Sequence, residues 1–178
     1  MPSEIERKYL VTGEAWRGQA LDRTLIEQAY LGADPSMVVR VRLANRKAWL
    51  TIKGKKQGAT APEFEYPIPP SHAREMIERL PLVGRLTKIR RRIRHKRRIW
   101  EVDEFLGDHA GLVLAEIELK NERDRPELPD WVGLEVTQDS RYANCNLARQ
   151  PGCTLNILSD VRKRTKNKAK KTRKDAHV

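Results

Sequence analysis

The chain has 178 residues, 39% hydrophobic and 34% charged, with a formal net charge of +12. That length serves one domain with a real core and falls short of two comfortable ones. No stretch approaches a membrane span, and the N-terminal MPSEIERKYL lacks the apolar centre of a signal peptide. The two cysteines, Cys145 and Cys153, neither build a disulfide framework nor space a zinc site, so a cytoplasmic protein with reduced thiols is expected.

Charge is unevenly spread. Over 159–178 nine Lys/Arg stand against two Asp, which leaves +5 of the +12 for the rest. The expected organisation is a single domain over 1–158 followed by a basic tail over 159–178 that lacks apolar periodicity and reads as disordered or loosely helical. The body is dense in both signs, which differs from a simple nucleic-acid patch.

Side chains two apart in a strand share a face. The first strand-like segment, 4–11, therefore groups Glu4, Glu6 and Lys8 opposite Ile5, Tyr9 and Val11. A short helix is expected at 14–20 and a strand at 25–31. Strand 38–43 sets Arg40 and Arg42 against Val39, Val41 and Leu43; strand 48–53 follows, and 63–68 sets Glu63 and Glu65 against Phe64 and Tyr66. Segment 71–80 reads as a helix capped by Ser71, with Ala73, Met76, Ile77 and Leu80 on one face. Strand 86–93 groups Lys88, Arg90 and Arg92 opposite Ile89 and Ile93, and 99–105 groups Glu101 and Asp103 opposite Trp100 and Val102. Strand 112–120 groups Glu116, Glu118 and Lys120 opposite Ile117 and Leu119, and a helix over 139–148 ends the series. Eight strands, mostly without long helices between them, predict an α+β chain that is mainly antiparallel β: an eight-stranded closed barrel with a few flanking helices.

Alternating charge on one strand is ordinary on a solvated face; six strands repeating it are not. Same-sign clusters repel one another on an open surface, whereas acidic and basic strands meeting across a bore would offset each other. Buried ions are poor stability design, so such a lining implies a use. Periodicity alone leaves the inward and outward orientations open.

The ordered motifs decide between them. Glu4-Ile5-Glu6-Arg7-Lys8, Gln28-Ala29-Tyr30-Leu31, Arg40-Val41-Arg42 and Thr51-Ile52-Lys53 are followed by Glu63-Phe64-Glu65 and Lys88-Ile89-Arg90. Glu101-Val102-Asp103, Ala115-Glu116-Ile117-Glu118 and Arg141-Tyr142-Ala143-Asn144 complete the set. In this order they resemble the ExExK, RxR, TxK, ExE and KxR strands of CYTH domains, the triphosphate tunnel metalloenzymes. The resemblance implies a tunnel-like barrel with both charge sets inside and hydrolysis of a triphosphate with Mg2+ or Mn2+. It is strongest to bacterial inorganic triphosphatases, which makes tripolyphosphate the expected substrate. Substrate would be bound by Lys8, Arg40, Arg42, Lys53, Lys88 and Arg90, since guanidinium forks and ammonium point charges both suit phosphate oxygens. The metal carboxylates would be Glu4, Glu6, Asp103, Glu116 and Glu118, an oxygen-only set. Glu4, Lys8 and Lys88 would carry catalysis, while Glu63 and Glu65 would orient the cations.

Rival readings are weaker. A class IV-type adenylate cyclase, or a thiamine or nucleoside triphosphatase, needs a base- or ring-binding patch that no motif displays. A polyphosphate or nucleic-acid binding module would use the basic run 90–98 and the tail, against repulsion from the tunnel carboxylates. The sequence leaves tail contacts with such polyanions, and a homodimer, open; it implies no membrane partner. His72, His95, His109 and His177 show no ligand spacing, and Tyr30, Tyr142 and the four tryptophans read as packing groups.

Overall fold

Residues 3–34, 36–55, 60–121 and 123–152 are described by the computed structural model, with the side chains of Ser3, Glu4, Thr60 and Ala61 outside that description. Nine strands dominate it: β1 (Ser3–Val11), β2 (Ala20–Ala33), β3 (Met37–Ala44), β4 (Lys47–Gly54) and β5 (Thr60–Ile68), then β6 (Gly84–His95), β7 (Arg98–Phe105), β8 (Val113–Glu118) and β9 (Val132–Glu135). Two α-helices, α1 (Pro70–Arg79) and α2 (Asn144–Arg149), accompany them. The sheet order is β5-β4-β3-β2-β6-β7-β8-β1-β9, and every pairing is antiparallel. The first three residues of β1 also pair with β5, Ser3 opposite Pro62 and Ile5 opposite Thr60.

All eight expected strands are present, several of them longer than their apolar pattern. β9 is an addition. It has four residues, too few to display a period, and Gly133 within it lies so close to β1 that a Cβ there would meet the Leu10 carbonyl oxygen at 3.0 Å. At the other extreme, the expected strand 112–120 shrinks to β8, and Lys120 falls beyond the charged face.

The helices depart more. The segment 14–20 forms only a 3-10 turn at Arg17–Gln19. It is too short to repay helix nucleation, and it is held instead by buried Trp16, whose indole N–H donates to the Gly13 carbonyl. Ser71 is not the cap of α1. The helix starts one residue earlier at Pro70, whose fixed φ and missing N–H suit a first helical position. The segment 139–148 splits into a 3-10 turn at Ser140–Tyr142 and α2, separated by extended Ala143. The tail 159–178 lies outside the described residues. Among those residues no helix is long and apolar enough to cross a membrane.

Three apolar clusters explain how the sheet is covered. On the outward faces of β3 and β4, Val41, Leu43 and Ala48 pack under Ala73, Met76 and Ile77 of α1. On the outward faces of β1, β6, β7 and β8, Tyr9, Ile93, Trp100, Val102 and Ala115 gather with Trp16 and Trp131 from the connecting segments. The third cluster lies on the other face. Leu10, Tyr30, Leu86, Phe105 and Leu114 each stand two residues from a charged or amide side chain of the same strand, so they share its face, and Tyr142, Leu147 and Ala148 from the α2 region pack onto them. One strand face is thus polar along its middle and apolar at one end. The approach of α2 there is tight: a Cβ on Gly84 would sit 2.3 Å from the Ala148 carbonyl oxygen.

Candidate functional site

The polar stretch of that face lines a cavity of roughly 640 Å³. Lys8 and Glu6 reach it from β1, Gln28 from β2, Arg40 and Arg42 from β3, and Lys53 from β4. Glu63 and Glu65 come from β5, Lys88, Arg90 and Arg92 from β6, Glu101 from β7, Glu116 and Glu118 from β8, and Asn144 from α2. The ionic faces therefore look inward, the orientation that periodicity left open. Opposite charges do not meet mainly across the bore, as the sequence suggested, but side by side on neighbouring strands, because register sets Lys8 opposite Glu116 and Arg90 opposite Asp103.

Two networks result. In the first, Lys8 Nζ contacts Glu6 at 3.0 Å and also Glu116, while Arg90 reaches Asp103 at 2.6 Å, Glu116 at 2.8 Å and Glu101. Lys88 pairs with Asp103. In the second, Arg42 donates to Glu65 at 2.8 Å, and Lys53 pairs with Glu63 at 2.9 Å. Arg40 donates to the Thr51 hydroxyl at 3.1 Å, and that hydroxyl donates to Glu65 at 2.9 Å. Buried Thr51 thus relays between the RxR arginine and the ExE carboxylate.

Burial and charge compete over the protonation states. Burial opposes the Lys8 ammonium, but Glu116 and then Glu6 outweigh it and hold its pKa above the ordinary lysine range. Burial likewise opposes the Glu116 carboxylate, and Lys8, Lys88 and Arg90 more than reverse the effect, keeping it ionised well below its usual range. Lys88 goes the other way. Burial pushes it down, Arg90 adds to that, and Asp103 recovers only part. For Arg42, burial and then the adjacent Arg40 lower the pKa.

Asp103, expected among the metal carboxylates, is fully buried and absent from the cavity lining; it sits behind Lys88 and Arg90 as their shared counter-ion. Glu118 lines the cavity and makes no ion pair among the described residues. Glu4 belongs to β1 by its backbone, on the Glu6 face, but its side chain lies outside the description. Tyr30 and Tyr142 are buried in the apolar end as packing groups. Gln28, Thr51, Glu101 and Asn144 received no role from the sequence, although the motifs contain all four. The available signal was strand parity, which puts Gln28 on the Tyr30 face and Glu101 on the Asp103 face.

A divalent cation can be tested against this donor set. Glu6 and Glu118 stand directly opposite each other on β1 and β8, and both line the cavity. Like charges so placed repel, and a hard cation between them would turn that cost into coordination. The described residues contain no complete cage of three or more His, Cys, Asp or Glu. Two carboxylates facing a wall of cations fit an ion that completes its shell with ligand oxygens and water.

A β-sheet that gathers seven Lys/Arg and six Glu around one cavity offers a lining suited to a polyanion. The particular family follows from comparison. The CYTH domain model matches residues 2–172, and the chain belongs to that family. It is 44% identical over 151 residues to the inorganic triphosphatase of Acetivibrio thermocellus, covering 85% of this chain and 96% of that one. The inorganic triphosphatase of Nitrosomonas europaea is 29% identical over 157 residues, covering 82% and 97%. The crystal structure of the inorganic triphosphatase NE1496 superposes with a TM-score of 0.58 at 30% identity, covering 84% of this chain and 97% of that one.

Proposed function

We propose that the chain is a divalent-metal-dependent, cytoplasmic triphosphatase that cleaves tripolyphosphate to diphosphate and phosphate inside a closed tunnel. Pairing of the first β1 residues with β5 supports closure of the sheet. The observation that carries the substrate is the lining. Seven Lys/Arg and six Glu share one cavity, and no aromatic ring is among its described residues to stack on a nucleobase or thiazolium ring. The two triphosphatase relatives, each matched over nearly its whole length, support the same reaction.

In this reading Arg40 and Arg42 bind phosphate oxygens as forks, and Lys8, Lys53, Lys88 and Arg90 supply further positive charge along the chain of phosphates. Glu63 and Glu65, with Thr51, hold the β3 and β4 cations in place. The lining's formal excess of one positive charge is smaller than the negative charge a triphosphate brings. Glu4, Glu6, Glu116 and Glu118 would hold Mg2+ or Mn2+, which neutralises phosphate charge and lowers the pKa of bound water. Phosphoryl transfer needs little covalent help, so catalysis rests on positioning and on charge aimed at the equatorial oxygens. The basic segment 159–178 is an extension to the catalytic domain 1–158 and is dispensable for turnover.

Phosphate release from tripolyphosphate, ATP and thiamine triphosphate, each with Mg2+ and with Mn2+, tests this reading. Tripolyphosphate should be the best substrate, a chelator should abolish turnover, and truncation after residue 158 should preserve it. Formation of cyclic AMP from ATP would move the assignment to a cyclase. Loss of phosphate release on truncation would favour a tail-dependent polyanion-binding role.

A further inference from the structure

Resting on the triphosphatase reading, we propose that Gln28 and Asn144 together hold the attacking water at the inner end of the cavity. Hydrolysis needs a water whose hydrogens point to acceptors, so that a lone pair faces the terminal phosphorus. The carboxylates nearest the first network's cations are poor candidates, because Glu6 and Glu116 already serve Lys8 and, on that reading, the metal ion, while Glu101 pairs with Arg90. The described lining has two neutral amides, Gln28 and Asn144. Gln28 Oε1 and Asn144 Oδ1 are both buried without a hydrogen-bond partner, and Gln28 as a residue is 1% exposed. A buried carbonyl left unpaired is costly, and natural interiors rarely tolerate one without a use for it.

Their place in the fold suits the role. Gln28 stands between Arg42 on β3 and Leu86 on β6, where the phosphate-binding wall meets the apolar end. Asn144 opens α2, and the next residue, Cys145, packs against the apolar cluster that contains Tyr30 and Leu86. The apolar cluster walls that end, so a water there depends on these amides for its hydrogen bonds. Neutral acceptors orient it without repelling the phosphoryl oxygens, as another carboxylate would. In the step itself the water oxygen bonds to the terminal phosphorus while the bridging P–O bond breaks. Diphosphate leaves with that electron pair, and the proton shed by the water goes to an oxygen of the phosphate formed. Gln28 and Asn144 are positioning residues; they exchange no proton.

The test uses the full-length protein with tripolyphosphate and Mg2+ for turnover, and an imido-bridged tripolyphosphate analogue with Mg2+ for binding. Gln28→Met and Asn144→Leu keep side-chain volume and remove the acceptors. Each should lower kcat on the order of a hundredfold, the cost of a misplaced reactant, while the analogue's Kd stays within about threefold. The double variant should be no worse than the slower single one, because both acceptors act on one water. Melting temperatures separate this from misfolding, and Asn144 at a helix end is the safer position should Gln28→Met fail to fold. Unchanged kcat in both variants overturns the proposal. So does a Kd that rises in step with the loss of kcat, which would make the amides phosphate ligands, and so does a double variant whose losses multiply. If the wild-type protein does not hydrolyse tripolyphosphate at all, the functional reading fails first, and the variants are not needed to show it.

Discussion

Asp103→Asn separates a counter-ion from a metal ligand, because the two roles predict different losses. Asp103 is 0% exposed, is the only carboxylate paired with Lys88 among the described residues, and shares Arg90 with Glu116 and Glu101. Removing one partner of a buried ion pair costs about 3–5 kcal/mol, since the other charge is left without compensation. In a domain of this size 1 kcal/mol shifts the melting temperature by roughly 2–4 °C, so a fall of roughly 6–20 °C is expected. Lys88, whose pKa burial already lowers, would lose the carboxylate that opposes that effect and become easier to deprotonate. Thermal melting with and without Mg2+ measures the first effect. The metal concentration giving half-maximal phosphate release measures the second role, and it should stay within about twofold of wild type while KM for tripolyphosphate rises. An Asp103→Asn variant that melts with the wild type but needs far more metal would refute the reasoning and return Asp103 to the coordination sphere.

Glu118→Gln should behave in the opposite way, raising the half-saturating metal concentration about tenfold or more with little change in melting, because it relieves a like-charge pair with Glu6 rather than breaking an opposite one. Acid should unfold the protein through Glu116 and Asp103, held below their ordinary carboxylate range by Lys8, Lys88 and Arg90 in the case of Glu116 and by Arg90 and Lys88 in the case of Asp103. Their contribution is complete above the unfolded values near about 4 and is lost as pH falls from there through the depressed folded values, so denaturant midpoints should be flat near neutrality and drop steeply below pH ~4. Gly84→Ala, which forces a Cβ onto the Ala148 carbonyl, should cost about 1–3 kcal/mol in a urea titration and lower kcat as well, since α2 carries Asn144. A stable, fully active Gly84→Ala variant would show that α2 can retreat without consequence.

Much of this was legible because strand parity is a strict rule. Once Glu6 and Lys8, Arg40 and Arg42, or Glu63 and Glu65 were placed on strands, their shared faces followed without further information. What parity withheld was the inner direction and the depth. Leu10, Tyr30, Leu86, Phe105 and Leu114 obey the same alternation as the charged residues before or after them, so a period of two cannot announce that the face turns apolar. The depth of Asp103 was hidden for the same reason: sharing a face with Glu101 does not reveal that Lys88 and Arg90 fold over it. β9 escaped because four residues are too few for a period to register, while α2 was contained in a longer expected helix over 139–148 whose break at Ala143 no period announces; their positions depend on tertiary approach at Gly133 and Gly84.

The interleaving of signs also bears on turnover. A wall of cations alone would hold tripolyphosphate tightly, but it would hold the diphosphate product nearly as well, and binding that is uniform along the reaction does not raise kcat. Here most cations of the lining already have a carboxylate partner: Lys8 has Glu6 and Glu116, Arg90 has Glu101, Asp103 and Glu116, Arg42 has Glu65 and Lys53 has Glu63. A phosphate oxygen must compete with these partners, so only the part of the ligand that engages several cations at once gains enough to displace them. A triphosphate spans more of the wall than a diphosphate does. The carboxylates of the ExE and ExExK motifs therefore weaken the shorter product more than the longer substrate, and Glu65→Gln should tighten diphosphate inhibition while slowing steady-state turnover. A Glu65→Gln protein released from its product as readily as wild type would show that these carboxylates serve stability alone.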